Sequence, residues 1–387
     1  MLLCAAFRTM SDALPPAFPT IYGRGLLGEI KNIAAPRYVI VTMRDLWAMP
    51  AFRSEFPAED GGNSWCTYFV ESLENDKLMR DIKAIAALSA EPLRCVVGLG
   101  GGQAIDVAKL FAWSLGLMLF QVPTALTVDA PWGHRAAVRF DGHVKYIGFA
   151  TPAAIYIDYD IMQRAPKRLI VSGAMDVLCF ATAQVDWKLA SIAGKSTKYP
   201  YDQAIVDAGM KHVHTLLHNV HEIRNVTEKG IQVMCEAFKH GGNGFHAYGW
   251  NPRPLEGVDH LGFYALEART RRAFIHGQAV GLFIFLGALL QSERAEMIPD
   301  SRSGRDSVAY CDGPGILSTI IELGIDIRPE ALGITWDDVQ ATLLDLRRFA
   351  VENNHFYTIV NEVDVTEKFC ESARGMLYAA YDSFRSV

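Results

Sequence analysis

Cysteine is scarce in this chain, with seven in 387 residues. Cys4, Cys66, Cys95, Cys179, Cys235, Cys311 and Cys370 are scattered without paired spacing, which predicts reduced, structural thiols rather than a disulfide framework. Positive charge is also short. Lys and Arg total 37 against 43 Asp and Glu, a formal net charge of −6 with no long basic run, so nucleic acid is not an expected partner. Long apolar runs are missing too. The longest, Ala279 to Leu290, falls short of a bilayer span and reads as a buried helix; no membrane partner is expected. The opening Met1-Leu2-Leu3-Cys4-Ala5-Ala6-Phe7 is too short for a signal peptide, Arg8 and Asp12 follow soon after, and Met10 is a second candidate start. The expected location is cytoplasmic.

What is present is ordinary globular material, 50% hydrophobic and 21% charged, enough for two cores. The most informative stretch is Gly100-Gly101-Gly102-Gln103-Ala104-Ile105-Asp106-Val107-Ala108-Lys109. It follows the apolar run Cys95–Leu99 and leads into a helical pattern, so it reads as strand, glycine turn, helix. Successive glycines let backbone approach an anion, and a helix start offers free N–H groups and a positive dipole end. A pyrophosphate suits such a place, although a tight turn alone explains one or two glycines.

Tyr38–Thr42, Cys95–Leu99, Met118–Pro123, Val144–Gly148 and Ala154–Asp158 read as strands, and Leu78–Leu88 as a helix. This alternation predicts a Rossmann-like α/β domain with a parallel sheet. After Tyr159 strand signals fade. Ala204–Ile223, Glu228–Lys239 and Trp336–Val351 carry helical periodicity, Thr335 and Thr366 look like helix starts, and Gly241–Gly244 and Asn251–Pro254 look like breaks. The predicted organisation is an α/β domain over residues 1–159 and an all-α domain over 160–387.

Three donors stand out in the helical half: Asp176 at a helix start, His260, and His276 in Phe274-Ile275-His276-Gly277. One carboxylate and two imidazoles with an open fourth position suit a catalytic zinc or iron(II) site. Singly, each has a plainer explanation, as a helix cap or a satisfied histidine, and the spacing forms no local metal motif. In Val122-Pro123-Thr124-Ala125-Leu126-Thr127-Val128-Asp129-Ala130-Pro131, after a strand end where open sheets bind ligands, Thr124 and Thr127 are candidate hydroxyl donors to a nucleotide. Asp129 is a candidate acceptor for a substrate hydroxyl, or an aspartate serving its own turn.

Together, in this order, these segments resemble the metal-dependent polyol dehydrogenase superfamily, which spans glycerol dehydrogenase, sn-glycerol-1-phosphate dehydrogenase, iron-containing alcohol dehydrogenases and, more distantly, dehydroquinate synthase. Gly100–Lys109 is similar to its GGGxxxDxAK turn, and Pro123-Thr124 with Asp129-Ala130-Pro131 to its cofactor and substrate loop. Ala183–Ala190, Arg253–His260 (resembling RPxSGxEH), His276-Gly277 and Phe356–Val360 are similar to segments of the glycerol-1-phosphate dehydrogenases.

The resemblance implies a dehydroquinate synthase-like fold, with the dinucleotide in the first domain and metal and substrate in the second. It implies NAD or NADP as cofactor, held by Gly100, Gly101, Gly102, Asp106, Thr124 and Thr127. It also implies one divalent metal, zinc foremost with iron or nickel as alternatives, held by Asp176, His260 and His276. With Asp129, these three form the expected catalytic set of an NAD(P)-linked dehydrogenase that moves hydride between nicotinamide and a small polyol, polyol phosphate or ketone. A homo-oligomer is expected by analogy. At the first strand end Met43 stands where an NAD-type aspartate is common, and Arg44 after it suits the extra phosphate of NADP. Two residues depart from the glycerol-1-phosphate pattern: Glu256 where a serine is usual, and Tyr264 four residues after His260, where a second histidine is frequent. The rival reading is a dehydroquinate synthase-like cyclase using NAD transiently, but its pattern has Glu as first ligand and Lys three residues on, against Asp176 and Cys179 here.

Overall fold

The structure is a computed structural model that describes residues 18–29, 37–49, 52, 64–88, 92–294 and 312–385. The Met1–Phe7 segment, Met10, Cys4 and Cys311 lie outside the described residues. No disulfide joins the described cysteines.

Eight strands are described: β1 (Thr20–Gly23), β2 (Tyr38–Thr42), β3 (Ser64–Phe69), β4 (Cys95–Gly100), β5 (Met118–Pro123), β6 (Ala136–Phe140), β7 (His143–Ile147) and β8 (Pro152–Asp158). Six of them form one sheet in the order β1-β8-β5-β4-β2-β3, and each pairing is parallel. β2 and β4 are buried along their whole length, as expected when helices cover both faces of a parallel sheet.

Val144–Gly148 forms a strand, but not in that sheet. β7 pairs antiparallel with β6 in a separate two-stranded ribbon. The cause is the Asp141-Gly142 link, with φ of +50° and +80°. A two-residue turn of this kind makes a hairpin and cannot carry a crossover to a parallel neighbour.

The first domain's helices include α1 (Asn75–Leu88) and α2 (Gly102–Leu115). Beyond Tyr159 the regular structure is helical: α3 (Met175–Ile192), α4 (Gln203–Leu217), α5 (Glu228–Ala247), α6 (Val258–Thr270), α7 (His276–Ser292), α8 (Trp336–Glu352) and α9 (Glu367–Arg385), with shorter helices between. The run Ala279–Leu290 lies within α7 and is almost wholly buried. Thr335 caps α8 in a capping box with Asp338, and Thr366 Oγ1 accepts from the Phe369 N–H at 3.2 Å. The Ala204–Ile223 stretch divides into α4 and Val220–Arg224, where the Asn219 side chain turns back to the Thr215 carbonyl at 2.7 Å.

The expected break at Gly241–Gly244 is overturned, because α5 runs through it to Ala247. These glycines make room. A Cβ on Gly242 would lie 2.7 Å from the Trp132 carbonyl carbon, and one on Gly241 would lie 2.9 Å from Asp129 Oδ2. Each glycine weakens a helix interior by about 1 kcal/mol; here the close approach of the 129–133 segment requires them.

A division at residues 159 and 160 remains our proposal. Asp158 closes the last strand, with Oδ1 capping the next helix through the Asp160 N–H at 2.9 Å and Oδ2 accepting from Leu26 N at 2.7 Å. The largest apolar cluster crosses this point, joining Ile155 and Ile157 of β8 to the helical residues. Among the described residues, one helical stretch, Lys167–Ile192, is long and apolar enough to cross a membrane, contrary to the expectation that no stretch is; 89% of its apolar window is buried within the fold.

Candidate functional site

Three helices begin at one place. Asp176 is the second residue of α3, His260 the third of α6 and His276 the first of α7. His276 Nε2 stands 3.0 Å and His260 Nε2 3.9 Å from Asp176 Oδ1, and one ligand atom from each residue lies within 4.8 Å of the others. Asp176 Oδ1 is buried and has no hydrogen-bond partner; the 3.0 Å approach of His276 lacks hydrogen-bond alignment. Two imidazole nitrogens and an unpartnered carboxylate oxygen converging on a common point form a donor set that fits a divalent ion.

The surroundings fix this geometry. His260 Nδ1 lies 2.7 Å from Asp259 Oδ1, which turns Nε2 toward Asp176. Asp259 is buried and also accepts from Thr182 Oγ1 and the His260 N–H, both at 2.7 Å. Burial pulls the His260 imidazolium down, but the Asp259 hydrogen bond and the nearby charges of Asp259, Glu256 and Asp176 outweigh it and hold the group at about 9. The carboxylates around it therefore favour a positive charge at this place, such as a bound divalent ion. Gly277 lets α7 start against Ser172, whose carbonyl a Cβ would overlap. A second cluster, Cys179, Asp259 and His260, also lies within ligand distance. Its thiol donates to the Asp176 and Leu255 carbonyls, burial pushes its pKa well up, and Asp259 is committed, so it does not offer a competing donor set.

Asp129 precedes a short turn, Ala130–Trp132, and does not cap it. Burial, followed by the charge of Asp176, raises its carboxyl to about 7. The segment is held by Lys109, 2% exposed, whose Nζ donates to the carbonyls of Ala130, Gly133 and Arg135 at 3.0, 3.3 and 2.5 Å. Asp106, expected beside the cofactor, lies 2.6 Å from the same Nζ.

At the glycine turn the roles divide. Gly100 has φ +155°, and a Cβ on it would meet Ala104 Cβ at 2.7 Å; one on Gly102 would meet Val128 Cγ2 at 2.7 Å. A Cβ on Gly101 would meet nothing within 4 Å. Gly101 precedes α2 and no side chain caps that helix. Two glycines thus serve packing and one fronts open space at a helix start. Thr124 follows β5, its N–H donating to the Gly100 carbonyl at 3.0 Å; Thr127 stands half-buried nearby in sequence. Arg44 follows β2 and is ion-paired with Glu71 at 2.7 Å, both well exposed.

Comparison with known proteins supports the same family. A family described as iron-containing alcohol dehydrogenase matches residues 63–166. The glycerol-1-phosphate dehydrogenase [NAD(P)+] of Thermofilum pendens is 26% identical over 340 residues, 87% of this chain and 89% of that protein. Among solved structures, a probable glycerol dehydrogenase from Sinorhizobium meliloti superposes with a TM-score of 0.67 at 19% identity, covering 97% of this chain and 100% of that one. The sulfoacetaldehyde reductase of Bifidobacterium kashiwanohense, solved with NAD+, gives 0.64 at 19% identity over 95% and 99%. The chain is similar to the iron-containing alcohol dehydrogenases over residues 63–166 and to the glycerol-1-phosphate dehydrogenases over most of its length. Its fold is the dehydroquinate synthase-like one.

Three segments that resemble the superfamily meet at one buried residue. Asp186, in Ala183–Ala190, accepts from Val258 N at 2.7 Å and Ile359 N at 2.8 Å. Arg253 in the second segment donates to the Tyr357 carbonyl in the third at 3.0 Å. Sequence reasoning missed the work of Asp186, Asp259 and Lys109. The Asp259-His260 adjacency was a readable signal for an oriented imidazole; nothing local marks Asp186. The two residues that depart from the glycerol-1-phosphate pattern touch each other, with Tyr264 Oη donating to Glu256 Oε1 at 3.3 Å.

Proposed function

We propose that this chain is a metal-dependent, NAD(P)-linked dehydrogenase that moves hydride between a CH–OH group of a polyol or polyol phosphate and nicotinamide. The observation that carries the reading is the convergence of Asp176, His260 and His276 at three helix starts, with an unpartnered carboxylate oxygen at their centre. The naming of the curated relatives as glycerol-1-phosphate dehydrogenases supports it.

The metal and the dinucleotide, when bound, supply Lewis acidity that lowers the pKa of an alcohol and an acceptor for its hydride. The chain's own residues do the rest. Asp176, His260 and His276 hold the ion, for which zinc is our choice given two nitrogen donors and one oxygen. Asp259 keeps the His260 proton on Nδ1, so that Nε2 stays available. Asp129 accepts a hydrogen bond from a substrate hydroxyl and orients it. Lys109, neutralised by Asp106, keeps the Asp129 segment in place. Gly101 lets the pyrophosphate reach the start of α2, with Gly100 and Gly102 shaping the turn and Thr124 and Thr127 donating hydroxyls. Arg44 selects NADP only after releasing Glu71. A cytoplasmic location, a homo-oligomer and the absence of nucleic-acid and membrane partners belong to this same reading.

The test is a screen of polyols and keto-sugars, with and without phosphate, followed by nicotinamide absorbance with both cofactors and by elemental analysis. Net consumption of NAD(P)H is expected. A cyclase would regenerate its cofactor and show none.

A further inference from the structure

We propose a second ligand site, for a phosphate group, in a cleft toward the far end of α3 from Asp176. It goes beyond the dehydrogenase reading and does not depend on it. The cleft opens to solvent with a volume of about 280 Å³, smaller than the ~300–1,000 Å³ of pockets for drug-sized ligands, so it suits a small ion. Three cations line it, Lys195, Lys198 and Arg253, and no carboxylate does. Lys195 follows α3, its N–H donating to the Ala190 carbonyl at 2.7 Å. Lys198 Nζ lies 4.9 Å from the centre of the Tyr199 ring. Both lysines are exposed. The described lysines in ion pairs are Lys77, Lys109 and Lys239, so neither cleft lysine has a carboxylate partner among the described residues.

Arg253 supplies what surface lysines alone do not. It is 2% exposed. Its Nη2 donates to the Tyr357 carbonyl at 3.0 Å, while Nε and Nη1 are buried without a partner. The Phe356 ring lies over the guanidinium at 5.2 Å, which leaves the edge for a ligand. Burial pulls the group down to about 10 in spite of the charges of Asp186, Asp259 and Glu256. Of these, Asp186 is already committed to the N–H groups of Val258 and Ile359. Donors left unpaired in an interior are costly, and an anion that accepts from them is favoured. Phosphate oxygens take the free donors of Arg253, and the two ammonium groups balance the dianion. Position separates this cleft from the metal centre. Asp176 is the second residue of α3. Trp187, whose indole N–H donates to the Tyr199 carbonyl at 2.8 Å, is eleven residues further along the same helix, about 16 Å at ~1.5 Å per residue. A three-carbon phosphate ester is too short to reach both places. The ligand is therefore a separate molecule, an organic phosphate monoester or inorganic phosphate.

Calorimetric titration of the metal-loaded full chain with inorganic phosphate, glycerol 2-phosphate and glycerol, at constant ionic strength, tests this. Wild type is expected to bind phosphate at this cleft and to give no heat with glycerol. Lys195→Ala/Lys198→Ala should weaken phosphate binding at least about tenfold, with Tm and metal content unchanged. Lys195→Arg/Lys198→Arg should hold it within about threefold of wild type. Lys211→Ala/Lys229→Ala removes the same charge from exposed positions elsewhere and should leave binding as it was. Tighter binding of the ester than of inorganic phosphate identifies an organic ligand; equal or weaker binding of the ester identifies the free ion. No binding by wild type, or equal binding by wild type and the cleft variant, overturns the proposal. Equal loss in both alanine pairs overturns it as well, since net charge alone would then explain the binding. So does a cleft variant whose KM rises for a phosphorylated polyol and not for glycerol, because the cleft would then belong to the substrate site. None of these results bears on whether the chain is a dehydrogenase.

Discussion

The glycine turn and the three-helix centre solve the same problem, holding a charged guest, in opposite ways. At the turn the protein presents backbone. Ten consecutive residues suffice, and the side chains that matter are missing ones: Gly101 faces open space while Gly100 and Gly102 only permit packing. At the centre it presents side chains 84 and 16 residues apart in sequence, Asp176, His260 and His276, with His260 oriented by the buried Asp259 and the start of its helix held by the buried Asp186. A backbone site tolerates substitutions that do not protrude. A side-chain site fails at the first deletion but can leave the fold standing.

The largest expected contrast lies there. Asp176→Ala or His276→Ala should lower turnover by on the order of a thousandfold or more, with little change in Tm because each removes a group from a centre where Asp176 Oδ1 has no hydrogen-bond partner. Retained turnover in either variant would break the comparison. Lys109→Met should do the reverse. It leaves Asp106 buried without its cation and three carbonyls without a donor, costing about 3–5 kcal/mol of stability, measurable by denaturant unfolding. An unchanged unfolding midpoint would show that the 129–133 segment is not held as described. Next in size are the glycines. Gly242→Ala forces a Cβ onto the Trp132 carbonyl carbon and should cost about 1–3 kcal/mol. Gly101→Ala should leave Tm alone and raise the KM for cofactor several-fold. Equal effects of the two on Tm would erase the distinction between a packing glycine and a ligand-facing one.

Much of the frame was legible in the sequence. The uninterrupted apolar runs of β2, β4 and β5 and the Gly100–Lys109 turn carry their structure locally, so strand, turn and helix follow from neighbouring residues. The β6–β7 ribbon was misjudged because Asp141-Gly142, a two-residue hairpin turn, was passed over in favour of alternation. The α5 break was misjudged for a tertiary reason: Gly241 and Gly242 answer to Asp129 and Trp132, more than a hundred residues away. Asp176, His260 and His276 were nameable singly, but their convergence came from family resemblance, since no local spacing encodes it. The Glu256–Tyr264 contact joins a residue ahead of α6 to one in its second turn, a spacing that no helical repeat announces.

Acid should sharpen the contrast between regions further. Burial holds His134, beside the 129–133 segment, and His240, in α5, each down to about 4. Unfolded, both titrate near 6.5, so the unfolded chain binds protons first. Their contribution to stability should be full above pH 6.5 and fall as pH drops toward 4, by on the order of 2–3 kcal/mol per histidine. His134→Gln or His240→Gln should flatten that slope; a slope unchanged in both would mean other groups carry it. The smallest effect concerns cofactor choice. Glu71→Gln releases Arg44 from its 2.7 Å ion pair and should shift the NADP to NAD preference upward by about threefold, a small effect because a solvent-exposed pair is weak.

The most direct measurement is the divalent metal content of the purified chain after equilibration with zinc and gel filtration, for wild type beside His260→Ala. The account predicts about one ion per wild-type chain and essentially none in the variant, whose circular dichroism and unfolding midpoint stay close to wild type. A His260→Ala protein that keeps its ion and its nicotinamide-linked activity would contradict it.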